Sequence, residues 1–300
     1  MTTATEEITK NADLRVVNGG TLYPPPWESG NAEGKIWSQG YKIPDVYATG
    51  STQLYPTGTI YRYGIRTFAY TKLSSDSTVV GAGFCPESTA EYVSLTNVLV
   101  SGAAGANTVV ITKAGITVDQ YAGGFLGIKM GTGGITTVGR YSSRQIIKNT
   151  VADGSNNVTF TLDGTNVLAL TTADDCVLAE HPYAEIRTPA TANYNMCVGV
   201  YINTVVVSNY VWVQTAGPHN MLSMIATFEG GSANSVPCYA IAGNSQVSEG
   251  GATGDATCNG IEGTSLQCIG HVYASTDIGG PAGSPADITI APTVWLNILQ

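Results

Sequence analysis

The sequence predicts an all-β protein, built mainly from antiparallel sandwich or barrel-type domains. Segments rich in β-branched and aromatic residues recur along the chain. Gly, Asn and Asp residues separate these segments at intervals of roughly eight to twelve residues, which is the usual spacing of short antiparallel strands. Apolar residues make up 43% of the 300 positions, close to the globular norm, so we expect a folded chain with a substantial core.

The charge balance and the hydropathy exclude two classes of partner. The chain carries 13 Lys and Arg residues against 22 Asp and Glu residues, a net charge of −9. Such a surface repels phosphate, so we expect neither nucleic acid nor an anionic membrane as a partner. No apolar segment reaches the roughly 20 residues that a spanning helix needs. The N-terminus is polar and acidic, unlike a secretory signal, and we therefore expect folding in the cytoplasm.

Residues 1–50 are predicted to form an extended N-terminal arm. Three consecutive prolines favour a polyproline conformation there, which cannot join the interior of a sheet. Aromatic residues in an irregular segment generally pack against a surface. The expected interaction anchors of the arm are Tyr23, Pro25, Trp27, Trp37 and Tyr41. Two surfaces can receive them, the chain's own domain or a neighbouring subunit, and the sequence leaves both open.

Residues 51–220 are predicted to form the main β domain. Strand-like segments on either side of Gly64 predict a hairpin, and the segment at 88–100 is the best helical candidate, with Ser88 or Thr89 as its N-cap. The longest β segments, at 197–207 and 210–215, are expected at the centre of a sheet. Shorter strands are predicted at 108–112, 115–118, 125–130, 158–162 and 167–170.

Residues 221–300 are predicted to form a C-terminal β segment that packs on the main domain or continues it. The part at 229–265 is rich in Gly, Ser and Asn and predicts a long surface loop or a loose hairpin. The chain then tightens into a terminal strand at 294–299, whose alternating apolar residues indicate one buried face.

The cysteines do not indicate a metal site. No C-x-x-C pair occurs among the six, so we expect no metal and no cofactor, and Cys176 and Cys197 are expected as buried apolar residues. Cys238 and Cys258 flank the Gly-rich segment and are the pair expected to oxidise after release from a cell. Asp153 and Asp163 lie in turn-like sequence, where weak calcium binding is left open.

The remaining polar residues do not form a recognisable catalytic motif. No G-x-S-x-G elbow is present, and the Gly-rich segment at 130–135 lacks the lysine of a phosphate loop. Asp174 and Asp175 are adjacent, so on a strand they would face opposite sides, and we expect a solvated turn. His181 and His219 each adjoin a proline, a position typical of turns. We therefore expect no enzymatic activity.

Four segments, taken in order, resemble a family of structural proteins of tailed bacteriophages. They are LYPTGTIYRYGIRTFAYTK (54–72), QYAGGFLGIKMGTGG (120–134), EHPYAEI (180–186) and VGVYINTVVVSNYVWVQTAGP (198–218). The positions that match the family motifs are Tyr121, Gly123, Gly124, Pro182, Tyr183, Tyr210, Trp212, Gln214, Gly217 and Pro218. The chain departs from the pattern at His181, where the family has Asn, so any polar contact of that Asn is in doubt here.

The resemblance implies a virion protein of the capsid surface, assembled in the host cytoplasm, that acts as a capsid decoration (cement) protein. Its implied partners are the major capsid protein and further copies of itself, as a trimer or another homo-oligomer. Other virion components, such as a head spike, fibre or tail protein, are the first alternative. A carbohydrate-binding or hydrolase module is the second.

The most specific motif places Tyr210, Trp212 and Gln214 on one face of a strand. We expect this face in the core of the domain. If it were exposed, it would instead mark a subunit interface.

Overall fold

A computed structural model gives the structure of the chain. The residues it describes are 15–17, 20–23, 44–75, 83, 85–90, 92–95, 99–130, 140–166, 169–172, 174–188, 196–220, 237–240, 247–249, 267–274 and 293–298. Their regular structure consists of β-strands paired in antiparallel sheets, which confirms the predicted all-β class. Within these residues no helix has the length and apolar character needed to cross a membrane.

Nineteen strands are defined in the described residues. In chain order they are β1 (Arg15–Val17), β2 (Gly20–Tyr23), β3 (Ile60–Tyr63), β4 (Arg66–Lys72), β5 (Glu87–Ser88), β6 (Tyr92–Leu95), β7 (Leu99–Ser101), β8 (Thr108–Thr112), β9 (Phe125–Met130), β10 (Arg140–Asn149), β11 (Asn157–Leu162), β12 (Asp175–Ala179), β13 (Ile186–Arg187), β14 (Val200–Tyr201), β15 (Tyr210–Asn220), β16 (Pro237–Ala240), β17 (Val247–Glu249), β18 (Gln267–Ala274) and β19 (Thr293–Asn297).

The strands belong to two compact units. The described residues of Met1–Tyr23, Tyr41–Thr89 and Glu185–Gln300 belong to the first unit, and those of Ala90–Ala184 belong to the second. The second unit is therefore inserted between distant parts of the first. This division differs from the boundaries at residues 50 and 220 that composition suggested, because strand pairing joins segments that lie far apart in the sequence.

The first unit contains a ten-stranded sheet. Its order is β1-β2-β3-β4-β15-β19-β18-β16-β17, and the short β14 also pairs with β15. The hairpin predicted around Gly64 is confirmed as β3 and β4, and Gly64 has the positive φ of 58° that favours glycine in a tight turn. The pairing of β1 and β2 with this sheet places part of the expected arm in regular structure.

The C-terminal strands complete this sheet. The Gly-rich part at 229–265 contains the antiparallel pair β16 and β17. This agrees with the predicted loose hairpin, which was the alternative to a long surface loop. Strand β19 confirms the predicted terminal strand, since Leu296 and Ile298 are buried whereas Trp295 and Asn297 are exposed.

The second unit contains a seven-stranded sheet of order β6-β12-β9-β10-β11-β8-β7. Strand β10 pairs with β9 along its first half and with β11 along its second, and the register shifts between Ile146 and Lys148. Residues alternate between buried and partly exposed along β8, β11 and β12. The buried side chains from both halves of the sheet pack together in one apolar core, which includes Ile111, Leu126 and Phe160.

Several local predictions are wrong. Where a helix was expected at 88–100, the chain forms the end of β5 and the strands β6 and β7, because its β-branched and aromatic residues pair with β12 and β8. The segment at 115–118 is a turn with Gly115 at a φ of 79°. The segments at 167–170 and 197–207 are not continuous strands. In their described residues, Leu170 forms a single bridge to Gly102, and β14 is the strand of the longer segment.

Candidate functional site

Strand β15, which contains the most specific sequence motif, is buried on both faces. Trp212 is only 2% exposed and Gln214 is fully buried on one face, and Val211 and Val213 are fully buried on the other. The strand pairs with β4 on one side and with β14 and β19 on the other. The prediction that the Trp212 face belongs to the core is confirmed, so this face is not available as a subunit interface.

Aromatic rings of the same chain cover Trp212. Its ring lies 5.3 Å from that of Tyr55, 6.1 Å from that of Tyr61 and 5.0 Å from that of Tyr70, measured between centroids. Tyr210 stacks on Tyr70 at 5.8 Å with an angle of 9° between the ring planes. Burial raises the pKa of Tyr70 to about 12, so its hydroxyl stays protonated at neutral pH.

The segment 44–56 lies against this aromatic layer. Gly50 exchanges two backbone hydrogen bonds with Tyr210, and the backbone N–H of Leu54 donates to the hydroxyl of Tyr70. Two clefts adjoin the segment. One, of about 440 Å³, is lined by residues that include Tyr70 and Trp212, and the other, of about 350 Å³, lies beside β3 and β4.

Gln214 organises the bend at the end of the motif. Its Nε2 donates to the backbone carbonyls of Ala216 and Pro218, both at 3.0 Å, and its Oε1 accepts from Nε and Nη2 of Arg66 at 2.9 and 2.7 Å. Gly217 has a φ of 87°, and a Cβ there would approach the carbonyl oxygen of Ile65 to 2.5 Å. The Gln and Gly of the motif therefore shape the backbone of β15.

The matching residues of the second unit form a separate turn. The backbone N–H of buried Tyr121 donates to Oδ1 of Asn149 at 2.9 Å, and its ring packs edge-on against that of Phe160 at 6.0 Å. Gly123 has a φ of 79°, and a Cβ on Gly124 would overlap the carbonyl oxygen of Ala179. Close approach of two backbones thus requires the second glycine.

The turn at His181 lies beside this close approach. Tyr183 is buried, Pro182 is half-buried, and the carbonyl of His181 accepts from the backbone N–H of Ala184, which confirms the predicted turn. The backbone N–H of Tyr183 donates to Nδ1 of His181 at 3.2 Å. The imidazole thus provides the kind of acceptor that an Asn side chain provides in an Asx turn. Burial lowers the pKa of His181 to about 4, and the ring is neutral at pH 7.

The expected anchors of the arm are described only at Tyr23. This residue ends β2, and the guanidinium of Arg62 lies 5.2 Å from the centre of its ring. The positions of Pro25, Trp27, Trp37 and Tyr41 lie outside the described residues. The site residues of the sequence analysis therefore fall into three groups. One motif lies in each of the two units, and the third group is the set of arm anchors, of which only Tyr23 is described.

The other histidines and the acidic pairs have structural surroundings. His219 lies within β15, not in the predicted turn, with Nε2 3.3 Å from the carbonyl of Tyr201, and burial lowers its pKa to about 4. The solvated turn predicted at Asp174 is also wrong in part, since this carboxylate is buried and accepts from Thr171. Asp153 accepts two backbone N–H groups in a turn, as predicted.

Three of the cysteines, whose side chains the structure describes, are buried and form no disulfide. Cys176 and Cys197 lie in the interior as predicted, together with Cys85. Burial raises the pKa of the Cys176 thiol to about 12, which opposes formation of a reactive thiolate. The side chains of Cys238 and Cys258 lie outside the described residues. Within the described part of the chain, no group of three or more His, Cys, Asp and Glu residues could hold a metal ion.

The sequence analysis missed the pairing of Arg66 with Gln214. The two residues are 148 positions apart and meet because β4 lies next to β15. One signal was available: Arg66 is two residues before Phe68 on a predicted strand, so both side chains share a face with the aromatic residues of the core.

Comparisons of the chain with protein-family models, with curated proteins and with solved structures give no match.

Proposed function

We propose that this chain is a structural protein of a tailed-bacteriophage virion, a capsid decoration (cement) protein that stabilises the head. It would bind the major capsid protein and further copies of itself at the capsid surface, after assembly in the host cytoplasm. The four sequence segments described above suggest this role. The proposal includes no catalytic step and no cofactor.

Exposed apolar side chains in the first unit are the structural observation that supports a role in binding the capsid most directly. Large apolar side chains are exposed near one end of β15, where Ile65 is 62% exposed and Trp295 is 42% exposed. Gly217 of β15 lies against the backbone of Ile65, and the next residue, Pro218, pairs with Trp295. Exposed Trp and aliphatic side chains beside a rigid sheet are typical of the buried centres of protein interfaces.

The mechanism is multivalent clamping. Each copy would cover a modest area across a junction between capsid subunits, and contacts made by several linked copies would raise the total binding strength without a single strong site. Because these copies bind only the assembled shell, they stabilise it against opening. A net charge of −9 keeps the protein from competing for the packaged DNA.

The test uses capsids of the same virus that lack this protein. Purified full-length chain is added, the capsids are sedimented, and their melting temperature is measured by calorimetry. We expect saturable binding and a higher melting temperature, with density on the head surface in cryo-electron microscopy. Absence of binding, or labelling confined to the tail, would contradict the proposal, and the second result would favour the tail-protein alternative.

Two substitutions locate the surface. Ile65→Ser should weaken capsid binding at least about fivefold, since truncating a residue that carries binding energy at the centre of an interface costs more than about 1 kcal/mol. Val118→Ser is the matched control, because Val118 is 66% exposed but belongs to the second unit. Equal binding by the two variants would show that the exposed end of β15 does not contact the capsid.

A further inference from the structure

The cleft of about 350 Å³ beside β3 and β4 combines a fixed cation with flat aromatic walls. Its walls include Asp45 and Tyr47 from the overlying segment, Tyr61 and Tyr63 from β3, and Arg66 from β4. Cavities of about 300 Å³ and above, mostly apolar with a few placed polar groups, are characteristic of small-molecule sites. The volume suits a ligand of one ring.

Arg66 is held rigidly without an acidic partner. Its Nε and Nη2 both donate to Oε1 of Gln214, and its guanidinium lies 4.7 Å from the centre of the Phe68 ring. The described residues place no carboxylate within ion-pair distance of it. An arginine is charged at every physiological pH, so a positive charge faces this cleft.

The orientation of the guanidinium is set before any ligand binds. Gln214 is fully buried, and its Nε2 is fixed by two backbone carbonyls, so its Oε1 holds the Nε and Nη2 edge of Arg66 in place. The edge formed by Nη1 and Nη2 remains, and its contact is the hydroxyl of Tyr47 at 3.4 Å. Two parallel N–H groups on such an edge match the two oxygens of a carboxylate.

The rest of the cleft suits a ring that carries hydroxyl groups. Tyr63 is 52% exposed and its ring stacks on that of Tyr61 with 6.3 Å between the ring centroids, which gives a flat apolar face. Asp45 accepts the backbone N–H of Tyr47 through Oδ1, which leaves Oδ2 as an acceptor for a ligand hydroxyl. The Asp45 charge disfavours a ligand with several negative charges, so one carboxylate is the best match.

We propose that this cleft binds a hexuronic acid, a six-membered sugar ring with a single carboxylate. The carboxylate would pair with Nη1 and Nη2 of Arg66, one ring face would lie on Tyr63, and a hydroxyl would donate to Asp45. This site does not depend on the proposed role at the capsid, and its test does not involve capsids.

The test is calorimetric titration of the full-length protein at low salt with D-glucuronate, D-glucose and benzoate. We expect glucuronate to bind at least tenfold more tightly than glucose, a difference of about 1.4 kcal/mol, because only glucuronate carries the carboxylate. We also expect it to bind more tightly than benzoate, which lacks the hydroxyls, and to weaken as salt is added. Equal affinity for glucose, tighter binding of benzoate, or no heat with glucuronate at tens of millimolar overturns the proposal.

Variants test the assigned contacts. Arg66→Gln should weaken glucuronate binding at least tenfold and leave glucose unchanged. Arg62→Gln is the matched control, because it removes the same charge from the neighbouring strand, where Arg62 lies over Tyr23 instead. If Arg66→Gln does not fold, Tyr63→Ser removes an exposed wall of the cleft and should weaken binding several-fold. If Arg62→Gln and Arg66→Gln weakened glucuronate binding equally, the loss would be explained by the change in net charge alone, and the proposed site would be refuted.

Discussion

Replacement of Trp212 by Ala tests the packing of the first unit most directly. A tryptophan side chain buries roughly 200 Å², and at about 25 cal/mol per Å² its removal costs about 5 kcal/mol. Measured losses for large aromatic residues in cores are about 3–5 kcal/mol. Trp212 is 2% exposed and its ring packs against three tyrosine rings, so the substitution removes nearly all of the stabilisation that burial of this side chain provides. We expect a loss of about 4 kcal/mol.

The assay is urea unfolding of the full-length protein, followed by tryptophan fluorescence. The chain has four tryptophans, and Trp295, in the described part of the first unit, remains as a reporter when Trp212 is replaced. With a slope of about 2 kcal/mol per molar urea, the midpoint should fall by about 2 M. The matched control is Ile65→Ala, in the turn that joins β3 to β4, where the exposed side chain predicts a change below about 1 kcal/mol.

A loss below about 1 kcal/mol for Trp212→Ala would refute this reasoning. It would mean that the Trp212 face is not covered in solution and could be an interface after all. A large loss in the Ile65→Ala control would instead show that the end of β15 depends on that side chain, and the capsid-binding result for Ile65→Ser would then need a different exposed position.

Two further substitutions test the second unit. Gly124→Ala should cost about 1–3 kcal/mol in thermal unfolding, since its Cβ meets a backbone carbonyl, whereas Gly127→Ala should be near neutral because its Cβ lies 3.8 Å from the nearest atom of Val177. The pKa of His181 is lowered in the folded state, so the unfolded state binds the proton more readily, and stability present above pH 6.5 is lost as the pH falls to about 4. His181→Asn should remove about 2 kcal/mol of that loss, as measured by urea unfolding at pH 7 and pH 4.5.

The fold class could be predicted because strand periodicity and turn residues are local properties. Segments such as Thr108–Thr112 and Phe125–Met130 have the predicted bounds, since each is a short β-rich segment with Gly or Asn beside it. The error at 88–100 has a different origin. Its helical appearance came from a cap-like Ser and a nearby Glu, but pairing with β12 and β8 decided its conformation.

The division into units could not be predicted from composition. Strand β4 lies beside β15, which is separated from it by the whole inserted unit, and no local pattern encodes such a pairing. The same holds for Arg66, whose partner Gln214 is visible as part of a motif but not as its neighbour. Local sequence reveals which residues are special, whereas long-range strand order reveals what they contact.

The burial of the motif residues limits what a shared motif can say about function. Trp212 and Gln214 are covered by their own chain, and Gly124 is required by a backbone approach, so these residues determine architecture. Chains with the same motifs can therefore share a fold and still bind different partners. Partner choice must depend on exposed positions around the motif, such as Ile65 and Trp295, and on clefts such as the one at Arg66. Substitutions at the exposed positions should change binding with little effect on stability, and substitutions at the motif should do the reverse.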